Sequence, residues 1–205
     1  EVIATRGVPR AGQRDPRQIT NRFYAYAIPY VWIANPEQQT KSLNLVVARS
    51  VERISGRAVD PTVKNFHWGD LVKGLFEAYE RDADNVVLLD HEGHVTEGPG
   101  FNLFAYCRGT LLTPADGVLH GITRQTVLDL AARERIPTRV LRFDETVLRE
   151  ADEIFLTSTA GGVMPVVTLD GEPLGDGTPG PLTLHLAALY WDVHRAGPWV
   201  SPVIY

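Results

Sequence analysis

Hydrophobic and polar residues follow one another along this chain in patterns that predict a mixture of strands and helices. Short apolar runs bounded by turn residues predict strands at residues 43–48, 86–89, 102–106, 111–113, 138–143, 153–157 and, around an Asp-Gly turn, within 166–174. Apolar residues spaced three and four apart predict helices at residues 70–81, 123–135, 145–150 and 181–195. Arg108-Gly109 between two of these strands predicts a hairpin, and Asp144 is predicted to cap the helix at residues 145–150. Because strands and helices mix without strict βαβ alternation, the pattern favours an α+β fold.

The helix predicted at residues 70–81 has a clear apolar face. Leu71, Val72, Leu75, Phe76 and Tyr79 share it at helical spacing. This spacing is typical of an amphipathic helix.

The chain is predicted to contain parts of two domains. Residues 7–17 are polar and broken by Gly and Pro, which is typical of an interdomain loop. Residues 1–6 then form the end of a small N-terminal domain, and residues 18–205 form a large domain. Because the chain begins without Met and inside a predicted strand, we expect most of the small domain to be absent from this sequence.

Composition narrows the classes of function. The net charge of −5 argues against nucleic acid and anionic membranes as partners, because both attract basic surfaces. No apolar run approaches the roughly 20 residues that cross a bilayer. The single cysteine, Cys107, cannot form an internal disulfide, which favours a reducing cytoplasm. Few residues are candidates for lysine chemistry, because the chain has seventeen arginines but only three lysines, Lys41, Lys64 and Lys73.

Two segments offer groups for covalent and acid-base chemistry. Lys64 lies in DPTVKNFHWGD, among apolar and aromatic neighbours that would desolvate its amine and favour the neutral nucleophile. Glu97 lies in VTEGPGFN, where a carboxylate stands at a Gly-Pro-Gly corner and could pair with a cationic ring nitrogen. Taken singly, Lys64 also suits a solvated surface, and Glu97 also suits a turn that faces water.

Two further segments suit an anion. LHGITR begins a helix at Ile122 and Thr123, and the free N–H groups of a helix start bind phosphate. TSTAGG follows a buried strand and supplies the hydroxyls of Ser158 and Thr159. Each segment alone also fits an ordinary capped helix or a polar loop.

In this order and spacing, the four segments resemble fold-type IV pyridoxal-phosphate enzymes, the family of branched-chain and D-amino-acid transaminases. The likeness extends from residue 1 to about residue 196, and within the family it is greatest to (R)-selective amine transaminases. It is carried by DPTVKNFHWGDLVKGLFEA, VTEGPGFNLF, GVLHGITR and STAGGVMPVVTLDG. The resemblance implies the large domain of a D-amino-acid-aminotransferase-like enzyme.

The resemblance also implies roles for single residues. Lys64 would carry pyridoxal 5′-phosphate as an aldimine in a ping-pong transfer of an amino group from an (R)-amine to a keto acid such as pyruvate. Glu97 would pair with the pyridine nitrogen, and Trp68 and Phe101 would shape the substrate side. The phosphate would be bound by Ile122, Thr123, Ser158 and Thr159. The family's subunits form homodimers.

Some features depart from the family pattern or leave alternatives open. The family's phosphate-binding arginine belongs to the small domain, and His67 stands where many relatives carry Gln. Arg10 and Arg14 on the 7–17 loop are candidates for binding a substrate carboxylate. No metal site is expected, because His91-x-x-His94 spans a turn. The alternatives are a D-amino-acid or branched-chain transaminase, an aminodeoxychorismate lyase, and a non-catalytic fragment.

Overall fold

The computed structural model describes residues 1–33, 37, 42–195, 200–202 and 204, in two compact units, Glu1–Val31 and Trp32–Tyr205. The predicted boundary within residues 7–17 stays a prediction, and these two units divide later along the chain. Lys41 lies outside the described residues.

The first unit is built on a two-stranded antiparallel sheet. Strand β1 (Val2–Thr5) pairs with β2 (Arg22–Ala25), with Val2 opposite Ala25. A short 3₁₀ helix, Pro16–Gln18, lies between them, and the Asp15 carboxylate accepts the Arg17 N–H at 2.9 Å. Every residue of β2 is exposed, so its aromatic run does not form a buried strand within this unit.

The second unit contains a mixed sheet in the order β4-β3-β9-β8-β5-β6-β7, with β10 beside β9. Its strands are β3 (Leu43–Val47), β4 (Asn85–Val87), β5 (Asn102–Cys107), β6 (Thr110–Pro114), β7 (Thr138–Leu141), β8 (Glu153–Ser158), β9 (Gly162–Leu169) and β10 (Glu172–Pro173). β3 is parallel to β4 and β9, and β6 is parallel to β7, whereas β5, β8 and β9 form an antiparallel centre. The predicted α+β class is confirmed.

The sheet forms the centre of the hydrophobic core. All six residues of β8 are buried, as expected for a strand with apolar layers on both faces. Phe104 of β5 and Phe155 of β8 stack across the pair, with ring centroids 4.9 Å apart. The hairpin predicted around Arg108 and Gly109 is confirmed by the β5–β6 pairing.

Helices in the second unit are α1 (Gly69–Glu80), α2 (Ile122–Arg133), α3 (Glu145–Arg149) and α4 (Pro181–Val193). Asp144 caps α3 as the sequence predicts, because its carboxylate accepts the Thr146 N–H at 2.9 Å. No helix among the described residues is both long enough and apolar enough to cross a bilayer.

The apolar face of α1 is only partly buried. Leu71 is buried, but Val72, Phe76 and Tyr79 are exposed. The helix packs against the sheet through Gly74, whose missing side chain leaves room for Leu88. Glu77 is also buried, because its carboxylate accepts the N–H groups of Arg49 and Ser50. A small residue and a hydrogen-bonded charge thus lie on the buried side of the helix, which the apolar pattern does not indicate.

Candidate active site

One cavity of about 520 Å³ in the second unit is lined by all four segments that the sequence singled out. The predicted site residues in its wall are Lys64, Trp68, Glu97, Phe101, Ile122, Thr123, Ser158 and Thr159. The structure therefore brings a lysine, a carboxylate and a helix start to one space.

Lys64 lies on a loop that is shaped by two short turns. The Asp60 carboxylate accepts the Thr62 N–H at 2.9 Å, and the Asn65 side chain accepts the His67 N–H at 2.8 Å. Lys64 and its neighbours Val63 and Phe66 are exposed. The expected desolvation of Lys64 by these neighbours is therefore wrong for the described chain, because their side chains do not cover the amine.

Glu97 is the buried carboxylate of the cavity, with 6% of its surface exposed. The backbone of Glu97 is held by the apolar segment 86–89, because the Leu88 N–H donates to the Glu97 carbonyl at 3.1 Å. Its Oε1 accepts from Arg53 Nη2 at 2.9 Å, and its Oε2 accepts from the Leu119 N–H at 2.8 Å and from Asn102 Nδ2 at 3.3 Å.

Burial raises the pKa of the Glu97 carboxyl above its ordinary value, although the Leu119 N–H, Arg53 and Lys64 act in the opposite direction. Two further charges lie behind it. Arg53 Nη1 donates to Asp70 Oδ2 at 2.6 Å, so one buried guanidinium joins two carboxylates. Burial raises the pKa of Asp70, but hydrogen bonds from the Ile54 N–H and Arg53 outweigh it and hold that pKa below its usual range.

The start of α2 forms one wall of the cavity. The Gln125 N–H makes the first helical hydrogen bond, to the Gly121 carbonyl at 2.9 Å, so the N–H groups of Ile122 and Thr123 precede the helical ladder. No side chain caps the helix. A side chain at Gly121 would collide with Asn102 Oδ1, and glycine is therefore required where Asn102 crosses the helix start.

The loop after β8 contributes to the same wall. Ser158 is buried, and its hydroxyl accepts the Ala160 N–H at 3.2 Å. Thr159 is exposed at the lining of the cavity. Both hydroxyls lie where the sequence segment predicts polar groups, and their role stays a prediction.

The remaining wall is aromatic and apolar. Trp68 is partly exposed at 39%, Phe101 is buried, and Ile33 lies beside them in the lining. Arg53 also lines the cavity, but its guanidinium is already paired with the carboxylates of Asp70 and Glu97.

Arg10 and Arg14 lie in the first unit, on a turn in which the Gln13 N–H donates to the Arg10 carbonyl. Both residues are exposed, and within the described part of the chain their guanidinium groups form no hydrogen bond or ion pair. Carboxylate binding by either residue stays a prediction.

Sequence reasoning missed Arg53 as a site residue. It lies between Val51 and Ile54 in a short polar stretch, and nothing in that stretch signals a partner 44 residues away.

Away from this cavity, Asp90, Glu92 and His94 place one ligand atom each within 4.8 Å of one another. The Asp90 carboxylate accepts the N–H groups of Glu92 and His94, both at 2.9 Å. These hydrogen bonds within the turn explain why the three side chains lie together, so their proximity is not evidence for a metal site.

Comparison with known proteins identifies the family. Residues 2–169 match the model of the family described as amino-transferase class IV. The chain belongs to this family.

Several class IV aminotransferases are similar over parts of the chain. A branched-chain-amino-acid aminotransferase of Pseudomonas aeruginosa is 40% identical over 58% of this chain and 39% of its own length. A putative branched-chain-amino-acid aminotransferase of Methanocaldococcus jannaschii is 31% identical over 94% of this chain and 66% of its own. A D-alanine aminotransferase of Staphylococcus aureus is 38% identical over 55% of this chain and 41% of its own length. The chain spans about two fifths of the first curated relatives, 43% and 39% of their lengths.

Solved class IV aminotransferases share the fold. The branched-chain aminotransferase of Escherichia coli superposes with a TM-score of 0.84 at 26% identity, over 94% of this chain and 64% of that chain. The branched-chain aminotransferase of Thermobaculum terrenum, solved in its PLP form, has a TM-score of 0.82 at 28% identity, over 94% and 62%.

Proposed function

We propose that this chain is the cofactor-binding part of a pyridoxal-5′-phosphate-dependent transaminase. The observation that carries the proposal is the single cavity that joins Lys64, the buried carboxylate of Glu97 and the uncapped start of α2. These three features match the three ends of the cofactor: an aldehyde, a basic ring nitrogen and a phosphate.

The residues present fit this cofactor. Arg53, Leu119 and Asn102 occupy three of the about four acceptor positions of the Glu97 carboxylate, which leaves room for one donor from the cavity. A protonated ring nitrogen is such a donor, and its positive charge would offset the burial that raises the pKa of Glu97. At the other end, the N–H groups of Ile122 and Thr123 and the Thr123, Ser158 and Thr159 hydroxyls would receive the phosphate.

Bound in this cavity, pyridoxal phosphate supplies an electron sink for the carbon that bears the amino group. Lys64 would hold the cofactor covalently, and its Nζ, when released, would move a proton at the substrate carbon. Glu97 would hold the ring nitrogen in its charged form, and the Arg53 charge lowers the pKa of Glu97 against the effect of burial. Trp68 and Phe101 would exclude water and orient the apolar part of the substrate.

For the amino donor we favour a branched-chain amino acid, because the relatives named above are branched-chain aminotransferases. The apolar wall of Trp68, Phe101 and Ile33 suits an aliphatic side chain. A keto acid would be the acceptor, and Arg10 or Arg14 would bind a carboxylate.

A hydrophobic (R)-amine with pyruvate as acceptor is the second candidate. It is favoured by the aromatic wall and by the pairing of Arg53 with Glu97 and Asp70, which leaves that cation unable to bind a donor carboxylate. A D-amino acid is a third donor, by analogy with the Staphylococcus aureus relative.

We also infer a homodimer and a cytoplasmic location. The dimer follows from the family resemblance, and the single cysteine, Cys107, suits a reducing compartment.

The test mixes purified full-length protein with pyridoxal phosphate and records the visible absorbance band. Leucine, D-alanine and both enantiomers of 1-phenylethylamine are then added separately, with pyruvate or 2-oxoglutarate, and the aminated product is measured. Loss of the band with leucine supports the first donor, and loss with the (R)-amine alone supports the second. A protein that forms no band and transfers no amino group would overturn the proposal, and pyruvate release from aminodeoxychorismate would instead indicate a lyase.

A further inference from the structure

A buried tyrosine lies directly behind the start of α2. The Tyr190 hydroxyl of α4 lies 3.3 Å from Thr123 Oγ1, the hydroxyl at the start of α2. The two residues are 5% and 4% exposed, and they are 67 positions apart in the chain. Thr123 lines the cavity, whereas Tyr190 does not.

The Tyr190 ring is fixed by its neighbours. Trp191 packs edge-on with ring centroids 5.2 Å apart, and His194 does so at 4.5 Å. Gly162, with a φ of +69°, passes so close that a side chain there would lie 3.0 Å from the Tyr190 ring. The hydroxyl therefore has little freedom to turn elsewhere.

The surroundings of the ring make this hydrogen bond necessary. Tyr190 belongs to an apolar cluster with Phe104, Val127, Leu130 and Leu186. A buried hydroxyl without a partner is costly in such a place, so the pairing with Thr123 is maintained.

The number of protons decides the direction of the hydrogen bond. Each hydroxyl has one proton to donate, and an anion in the cavity can only accept. When the Tyr190 hydroxyl donates to Thr123 Oγ1, the Thr123 proton remains free to donate to that anion. Each bond in such a chain also polarises the next.

We propose that Tyr190 is a positioning residue for the anion end of the cavity: it directs the Thr123 hydroxyl proton at the phosphate of the cofactor. This inference rests on the proposed function, because it needs a phosphate at the start of α2. It adds a residue of the last helix to the site.

The test compares the affinities of full-length apoprotein for pyridoxal phosphate and for pyridoxal, which lacks the phosphate. Absorbance titration gives both. Tyr190→Phe should weaken pyridoxal-phosphate binding about two- to tenfold, the range for loss of one neutral hydrogen bond, and leave pyridoxal binding unchanged. In a Thr123→Val background, Tyr190→Phe should cause no further loss.

Two variants serve as controls. Tyr106 packs against the same apolar cluster but lies on β5 opposite Glu153, so Tyr106→Phe should leave both affinities unchanged. Thr123→Ser keeps the hydroxyl and should retain the preference for pyridoxal phosphate within about twofold. Thermal unfolding confirms that each variant is folded.

Other outcomes overturn the inference. Equal losses for pyridoxal and pyridoxal phosphate would show that Tyr190 acts only through the fold, as would an additional loss in the Thr123→Val background. An unchanged Tyr190→Phe protein would overturn the inference and leave the proposed function standing. Wild-type protein that binds neither compound would overturn both.

Discussion

Arg53 Nη2 lies 2.9 Å from Glu97 Oε1, while Nη1 of the same guanidinium lies 2.6 Å from Asp70 Oδ2. One buried cation thus stands between the carboxylate of the cavity and the first turn of α1. Burial alone raises the pKa of Glu97, and Arg53 opposes that rise. The pKa of Glu97 therefore depends on its pairing with Arg53.

Replacing Arg53 should affect both stability and the pH profile. Arg53→Met leaves the buried carboxylate of Glu97 and the half-buried carboxylate of Asp70 without their partner, and breaking a buried pair typically costs about 3–5 kcal/mol of unfolding free energy. The pKa of Glu97 should rise further, so the acidic limb of the activity profile should move to higher pH. Urea unfolding and rates across pH measure the two effects.

Arg49→Met is the matched control, because Arg49 is half-exposed and pairs with Glu145 and Asp170 away from the cavity. It should leave the acidic limb where it is. A limb that did not move in Arg53→Met would show that Arg53 has only a structural role.

Glu97→Gln tests the carboxylate itself. An amide cannot offset the charge of a protonated ring nitrogen, so the loss should fall on kcat more than on KM. We expect a decrease of about a hundredfold or more, the scale of removing one preorganised electrostatic partner. An unchanged kcat would make Glu97 a turn residue and no more.

Lys64 and Lys73 form a natural pair for testing the covalent role. Both are exposed, but Lys73 donates to the Ser50 carbonyl at 2.7 Å and lies on α1 outside the cavity lining. Lys64→Ala should abolish the visible band of protein mixed with pyridoxal phosphate, whereas Lys73→Ala should retain it. A borohydride-reducible adduct that persists in Lys64→Ala protein would contradict the assignment.

Much of this architecture follows from local patterns. The Arg108-Gly109 turn predicts the β5–β6 hairpin, because both residues adopt the positive φ that such a turn needs, +48° and +82°. Asp144 marks the start of α3 because its side chain replaces a missing helical acceptor.

Pairings between distant residues are different. The parallel contact of β3 with β9 joins residues more than 120 positions apart, and no local pattern specifies it. The four cavity segments could be selected by their chemistry, but Arg53 and Tyr190 could not, since their contacts with Glu97 and Thr123 join residues 44 and 67 positions apart. The buried side of α1 is likewise not evident from the helix sequence, because Glu77 is stabilised by the backbone of Arg49 and Ser50.

Asp170 is expected to contribute stability in a pH-dependent way. Its carboxylate accepts the Val47 N–H at 3.0 Å and pairs with Arg81 and with Arg149 at 2.7 Å. Burial raises its pKa, but these partners outweigh burial and hold the pKa below its usual range. A lowered carboxyl pKa stabilises the fold above the unfolded value of about 3.9, and this stability is lost as pH falls through the folded value.

Asp170→Asn should therefore cost about 1.5–3 kcal/mol near neutral pH, the range for hydrogen bonds to a charged group. Asn accepts the positive φ of +52° at this position, so the substitution tests the charge and not the backbone. The difference from wild type in urea unfolding should shrink as the pH is lowered below about 4. A difference that stayed constant with pH would show that the carboxylate charge contributes nothing.

The loop arginines test how a substrate carboxylate is bound. Arg10 and Arg14 are exposed on a turn around Gly12, and a guanidinium can bind a carboxylate through two parallel hydrogen bonds. Arg10→Ala and Arg14→Ala are measured separately. The substitution of the arginine that binds the carboxylate should raise KM for pyruvate by about tenfold or more, since a charged hydrogen bond contributes about 1.5–3 kcal/mol. KM for (R)-1-phenylethylamine, which has no carboxylate, should not change.

Arg17→Ala is the control, because Arg17 already pairs with Asp15 at 2.7 Å. Equal effects on the amine and the keto acid would show that the loop acts on the fold of the site, and no effect from either arginine would place the carboxylate elsewhere.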